Sequence, residues 1–127
     1  MPGGTPGLDT IAAAVLDLAV QGEIPISRVA ETLAAAPARI FGIDRLKGDL
    51  RPGLDGDLVL VDIEVERCVT AEMIRSKAGR SVFEGTTLAG WATTVAHHSD
   101  VGGIVAGSNA LELFLARTEI LVCLLPL

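Results

Sequence analysis

Tyrosine is absent from the 127 residues, and the aromatic set stops at three phenylalanines and one tryptophan. Any core must therefore come from Ala, Leu, Val and Ile, and nothing near Phe83 or Trp91 could form an aromatic cage or a stacking platform. Phe83 and Trp91 read as core or subunit-contact residues. Cysteine is nearly as scarce. Cys68 and Cys123 stand alone, with no Cys or His at metal-ligand spacing, so they read as reduced thiols and not as a disulfide. Basic residues are few, ten against sixteen acidic ones, and a net charge of −6 argues against a nucleic-acid partner. No apolar run approaches the ~20 residues of a membrane span. The final stretch Ile120–Leu127 is apolar but short, a β-prone window open to aggregation rather than an anchor. The first residues lack the basic start and apolar run of a secretory signal, so cytoplasm is the expected location. Length excludes more. A (β/α)8 barrel takes roughly 250 residues, so one small domain is what the chain can hold.

What is present divides into a helical half and an extended half. After the Pro/Gly-rich start, Asp9 is placed to cap a helix whose Leu8, Ile11, Ala12, Val15, Leu16 and Ala19 recur at helical spacing, and Gly22 ends it. Ser27 is placed to cap a second helix with Val29, Ala30, Leu33 and Ala34 on one face. Pro37 then interrupts, starting a new short turn through Ile40 that Gly42 closes in the left-handed region. From Gly48 the pattern becomes extended. Gly48, Gly53 and Gly56 mark turns, Leu58–Val61 is an apolar run between Asp57 and Asp62, and Ile63 to Glu66 alternate. Further short strands are expected at Cys68–Thr70 and Leu88–Val95, giving three to five strands between residues 46 and 95 with exposed edges. The fold class is α+β.

The segment Ala35-Ala36-Pro37-Ala38-Arg39-Ile40-Phe41-Gly42-Ile43, followed by Lys47-Gly48-Asp49-Leu50-Arg51-Pro52-Gly53-Leu54-Asp55-Gly56-Asp57-Leu58-Val59-Leu60-Val61-Asp62, resembles the passage by which metal-dependent cyclic amidohydrolases (dihydroorotase, allantoinase, hydantoinase) leave their barrel for a small composite β-domain. Pro6-Gly7-Leu8-Asp9-Thr10 resembles the loop and helix start after the last barrel strand, and Ser76–Gly85 the loop before the final strands, so the resemblance runs from about residue 4 to 95. It implies residues 1–45 as the last barrel unit, helical, and 46–95 as the β-domain. The family usually has Asn before the proline, and Ala36 cannot cap as Asn would, a loss of about 1 kcal/mol. A second resemblance, Ala96-His97-His98-Ser99-Asp100 through Ser108-Asn109, is to the hydantoinase B/oxoprolinase family. Residues 96–127 are then a short joined stretch and an apolar tail, expected to be poorly ordered.

In the amidohydrolase family a metal-bound hydroxide attacks a cyclic amide, zinc being held by His-x-His, further His, a carbamylated Lys and an Asp that also moves the proton. None of these is identifiable here. Lys47 and Lys77 lie in loop contexts, and the catalytic Asp is expected upstream of Met1. No catalytic residue is therefore assigned, and no zinc is expected on this chain. The resemblance leaves Gly3, Gly4, Pro6 and Gly7 as a substrate-edge loop, against a plain amino-terminal tail. The hydantoinase B resemblance points to His97 and Asp100, with His98 adjacent, as metal ligands, against a solvated loop, since stable zinc sites use four ligands or three plus water. Gly102, Gly103, Gly107 and Ser108 lack the Lys-Ser/Thr of a phosphate loop and read as turns. Asp55, Asp57, Asp62, Glu64 and Glu66 miss calcium-loop spacing. Glu64 and Glu66 would share a solvated strand face, while Asp57 and Asp62 bound a strand.

Three functional readings follow. The chain is part of a hydrolase acting on a small cyclic amide such as dihydroorotate, allantoin or a hydantoin, inactive by itself. Or it is a noncatalytic packing or homo-oligomerisation module. Or it is a remnant related to both families, without selected function.

Overall fold

Two rows of small aliphatic residues meet a pair of long strands, and their packing sets the architecture. The computed structural model describes residues 6–96 and 119–122. Helix α1 is Ile11–Val20. Helix α2 (Ile26–Ala30), a π turn (Glu31–Ala35) and helix α3 (Ala36–Ile40) follow one another without a gap. Strand β1 (Leu58–Cys68) and strand β2 (Thr87–Ala96) pair antiparallel, and β3 (Glu119–Val122) pairs antiparallel with the other edge of β1, for a sheet order β2-β1-β3. The class is α+β, with two strands rather than three to five between residues 46 and 95. Cys68 ends β1 rather than opening a strand of its own, because the Ile63–Glu66 alternation carries the first strand straight through.

Both helix stops behave as glycine chemistry requires. Gly22 (φ 79°) donates to the Ala19 carbonyl and Glu23 to that of Leu18; Gly42 (φ 68°) donates to Arg39 and Ile43 to Ala38. These are paired Schellman closures, which only a residue free to take positive φ completes cheaply. The helix starts differ from expectation. Pro25 rather than Ser27 precedes α2, and Thr10 rather than Asp9 precedes α1, neither with a side-chain cap bond. Asp9 is drawn elsewhere, accepting from the backbone N–H groups of Arg75 and Ser76.

Pro37 does not break the helix. The π turn before it opens the backbone ring by one residue, with Ala36 N–H donating to the Glu31 carbonyl five residues back. That widening gives room to a residue with no N–H and a ring that would strike the carbonyl four positions earlier. Ala36 (φ −66°, ψ −47°) is thus an interior helical residue, and no helix start exists there to be capped. Ala36→Asn is expected to destabilise the chain by about 0.5 kcal/mol through helix propensity, where a cap would have stabilised it by about 1. Urea midpoints of the two proteins distinguish the signs.

The core has two parts joined by α1. Ala13 packs with Val69, Ile74, Leu88 and Trp91; Leu16 packs with Val29, Val59 and Val61. The buried face of α1 is therefore Ala13 and Leu16, while Leu8 and Ile11, which share the helical spacing, are exposed. In the second helix the expected face holds: Val29 and Ala34 are buried, Ala30 and Leu33 half-buried. The β1–β2 register slips between Asp62 and Glu66, where four steps on β1 oppose two on β2, Trp91 to Ala89. Gly90, at φ 84°, sits opposite this bulge.

Candidate functional site

Lys47 is the centre of the one charged cluster that the fold half-buries among the described residues. Its ammonium donates to the Asp57 carboxylate and lies 3.1 Å from that of Asp55. The turn at Ile43–Lys47 follows directly from the Gly42 closure, and Asp55 N–H ties back to the Leu46 carbonyl at 2.7 Å, which brings the two carboxylates over the lysine. Asp57 is buried immediately before β1. Its hydrogen bond to Lys47, seconded by Asp55, holds the lysine pKa above its ordinary value of 10.5. Because the folded-state pKa is the higher one, this contribution to stability is whole below about pH 10.4 and is lost as pH rises through the raised value. A Lys47→Met variant should be less stable than the parent at neutral pH and should show a flatter loss of stability above pH ~10.5, measured by urea melts across pH.

Hollows border the described residues, three of them lined by charged side chains. One of about 360 Å³ lies between the helices and the following loop, lined by Ser27, Glu31, Arg39, Gly48 and Asp49 among others. A neighbour of about 230 Å³ adds Asp44, Lys47 and Arg51. Arg39 is paired with Glu31, and Arg51 lies 3.8 Å from Asp49, so the cations lining these hollows are already answered by the chain's own acids. The third, about 400 Å³, is edged by Asp9, Glu72, Met73, Arg75 and Trp91.

Of the residues that the sequence singles out, Pro6 and Gly7 are half-buried at the entry to α1, and the Gly7 carbonyl accepts from Thr10 and Ile11. A side chain at Gly7 would meet open space, so no close approach there demands glycine. Gly3, Gly4, His97, His98 and Asp100 lie outside the described residues, as do Gly102, Gly103, Gly107, Ser108 and Cys123. The acidic cluster divides. Asp55 and Asp57 hold Lys47, Asp62 accepts from the Glu64 N–H, and Glu64 and Glu66 are exposed on β1. Lys77 sits in a turn, and Cys68 is an exposed free thiol.

Among the described residues no three His, Cys, Asp or Glu converge as a metal site, and the buried carboxylate is committed to an ammonium. These residues do not fit a zinc ion. Also among them, no helix is long and apolar enough to cross a membrane. Sequence reasoning missed the roles of Asp9 and of Asp17, whose carboxylate accepts from the Ala89 N–H at 2.8 Å. Both bonds span more than sixty residues and leave no local mark, although an acid on an otherwise apolar helix is a signal of such a partner.

No family model matches the chain. Individual proteins do. It is 39% identical over 85 residues to a protein named dihydroorotase from Methanosarcina acetivorans, covering 66% of this chain and 18% of that protein. It is 39% identical over 84 residues to a Halobacterium salinarum dihydroorotase, 66% of this chain and 20% of that one. It is 34% identical over 95 residues to a Streptomyces coelicolor D-hydantoinase, 75% of this chain and 20% of the other. The chain thus spans about a fifth of the length of the curated relatives it matches. The resemblance of residues 96–109 to the hydantoinase B/oxoprolinase family finds no support here. The likeness to dihydroorotases and hydantoinases supports an origin in a cyclic amidohydrolase.

Proposed function

We propose that this chain is the carboxy-terminal scaffold of a cyclic amidohydrolase, the part that follows the reaction centre rather than holding it. The observation that carries this reading is the 34–39% identity to dihydroorotases and D-hydantoinase over 84–95 residues, a span about as long as the described helices and sheet together. In this reading α1 closes the barrel, residues 46–95 are its β-domain, and the substrate of the whole enzyme is a small cyclic amide whose ring C–N bond is cleaved by water. Zinc belongs to the remainder of such an enzyme. The chain's own contribution is structural: the Lys47–Asp57 pair fixes the entry into β1, and the Asp9 and Asp17 carboxylates bind the loop at Arg75 and the strand at Ala89.

The test is a chimera. The 85 residues of the Methanosarcina acetivorans dihydroorotase that match this chain are replaced by their counterparts here. The expected product is soluble and hydrolyses dihydroorotate, whereas the isolated chain turns over neither dihydroorotate nor hydantoin. A chimera that stays insoluble or inactive, while an equivalent one carrying the Streptomyces coelicolor D-hydantoinase segment works, refutes the assignment.

A further inference from the structure

Helix α1 carries one polar side chain in ten residues, Asp17, and that carboxylate is spent on Ala89 N–H and Gln21 of the same chain. Asp9, in the turn before the helix, is likewise spent on Arg75 and Ser76. The helix buries Ala13 and Leu16 against the sheet. At 100° per residue, Leu8, Ile11 and Leu18 fall on the opposite side, while Val15 between them packs back on the chain's own Leu16 cluster. Leu8 is 72% exposed, Ile11 45% and Leu18 43%. A surface helix turns its acids outward and its aliphatics inward. Here the acids face the chain's own backbone and a second aliphatic stripe faces away, the pattern of a helix covered on both sides.

The occupant follows from the lengths of the relatives. Each matched relative has about four fifths of its length outside the matched segment, so a helix at this position there has neighbours that no residue of the match supplies. We infer that the Leu8–Ile11–Leu18 stripe docks on an apolar surface of the larger portion of an amidohydrolase. The inference rests on the proposed origin and adds to it which face makes the joint.

The double variant Ile11→Glu/Leu18→Glu tests it in two settings. In the full chain both side chains are nearly half exposed, so far-UV dichroism should hold and the urea midpoint should fall only slightly. In the chimera the same pair would place two carboxylates in an apolar joint, and dihydroorotate hydrolysis per milligram should fall by about tenfold or more. Val82→Glu, at a position 67% exposed on another loop, should leave both proteins unchanged. A chimera that tolerates Ile11→Glu/Leu18→Glu overturns the docking face while leaving the amidohydrolase origin standing. An inactive parent chimera beside a working chimera with the D-hydantoinase segment removes the origin instead, and the docking face with it. Sedimentation of the full chain covers the rival occupant: a dimer that the double variant dissolves would assign the stripe to a second copy and overturn the inference.

Discussion

Gly48→Ala is expected to lower the stability of the chain by about 2–5 kcal/mol, a large part of the 5–15 that a domain commonly has. Two effects add. Gly48 takes φ 94°, where a Cβ meets its own backbone, at about 1–2 kcal/mol. The added methyl would also stand 2.5 Å from the Ala38 Cβ and 3.1 Å from the Ala34 carbonyl oxygen, because the loop lies directly on the second helical segment. Over-packing of this kind costs about 1–3 kcal/mol. The geometry further predicts a rescue. Ala38→Gly removes the nearer obstacle at about 1 kcal/mol of helix propensity. A double-mutant cycle in urea should therefore show Gly48→Ala to be milder by about 1–2 kcal/mol when residue 38 is glycine. The φ strain and the Ala34 oxygen remain, so recovery is incomplete. Strict additivity would mean that the loop does not rest on the helix as described.

The contact at Gly48 illustrates what a linear reading reaches. Gly22 and Gly42 were legible as helix stops, since a closure depends on residues within one turn. Gly48 was legible as a turn, but not as the seat of a helix, because Ala38 is ten residues away. The apolar run from Leu58 announced β1, and its alternation carried the strand to Cys68. The face of α1 was not decidable. Leu8, Ile11, Ala12, Val15, Leu16 and Ala19 satisfy helical spacing, but so do Ala13 and Ala14, and in a helix apolar all round periodicity does not choose a side. Tertiary contact with β2 chose Ala13 and Leu16. Pro37 misled for a related reason. Its local chemistry favours a break, yet one wider turn upstream accommodates the ring, and the burial of Ala34 and Ala38 on either side keeps the helix continuous. As for the site, the amidohydrolase resemblance of residues 34–62 was carried by local motifs and has its counterpart in named relatives. The Lys47–Asp57 pair was not, since opposite charges ten residues apart say nothing of which partners fold together.

Gly90→Ala should damage the chain to about the same extent as Gly48→Ala, and it should resist rescue. Gly90 combines φ 84° with a position where a Cβ would lie 2.8 Å from the Leu16 Cβ and 3.6 Å from the Leu16 carbonyl carbon. The obstacle is thus the stem of a buried helical residue, not the movable end of its side chain. Strain of about 1–2 kcal/mol and over-packing of about 1–3 again sum to 2–5. Trimming Leu16 to alanine leaves its Cβ in place and adds its own cavity cost, on the order of 3–5 kcal/mol. The double variant Leu16→Ala/Gly90→Ala should accordingly be no better than the sum of the singles, within about 0.5 kcal/mol. Since Gly90 precedes Trp91, whose indole N–H donates to the Leu88 carbonyl at 2.8 Å, the near-UV dichroism of the lone tryptophan reports the displacement directly. A Gly90→Ala protein that keeps both its urea midpoint and its tryptophan signal would show that α1 does not press on β2. It would also remove the seating of α1 that leaves the Ile11 and Leu18 face turned outward.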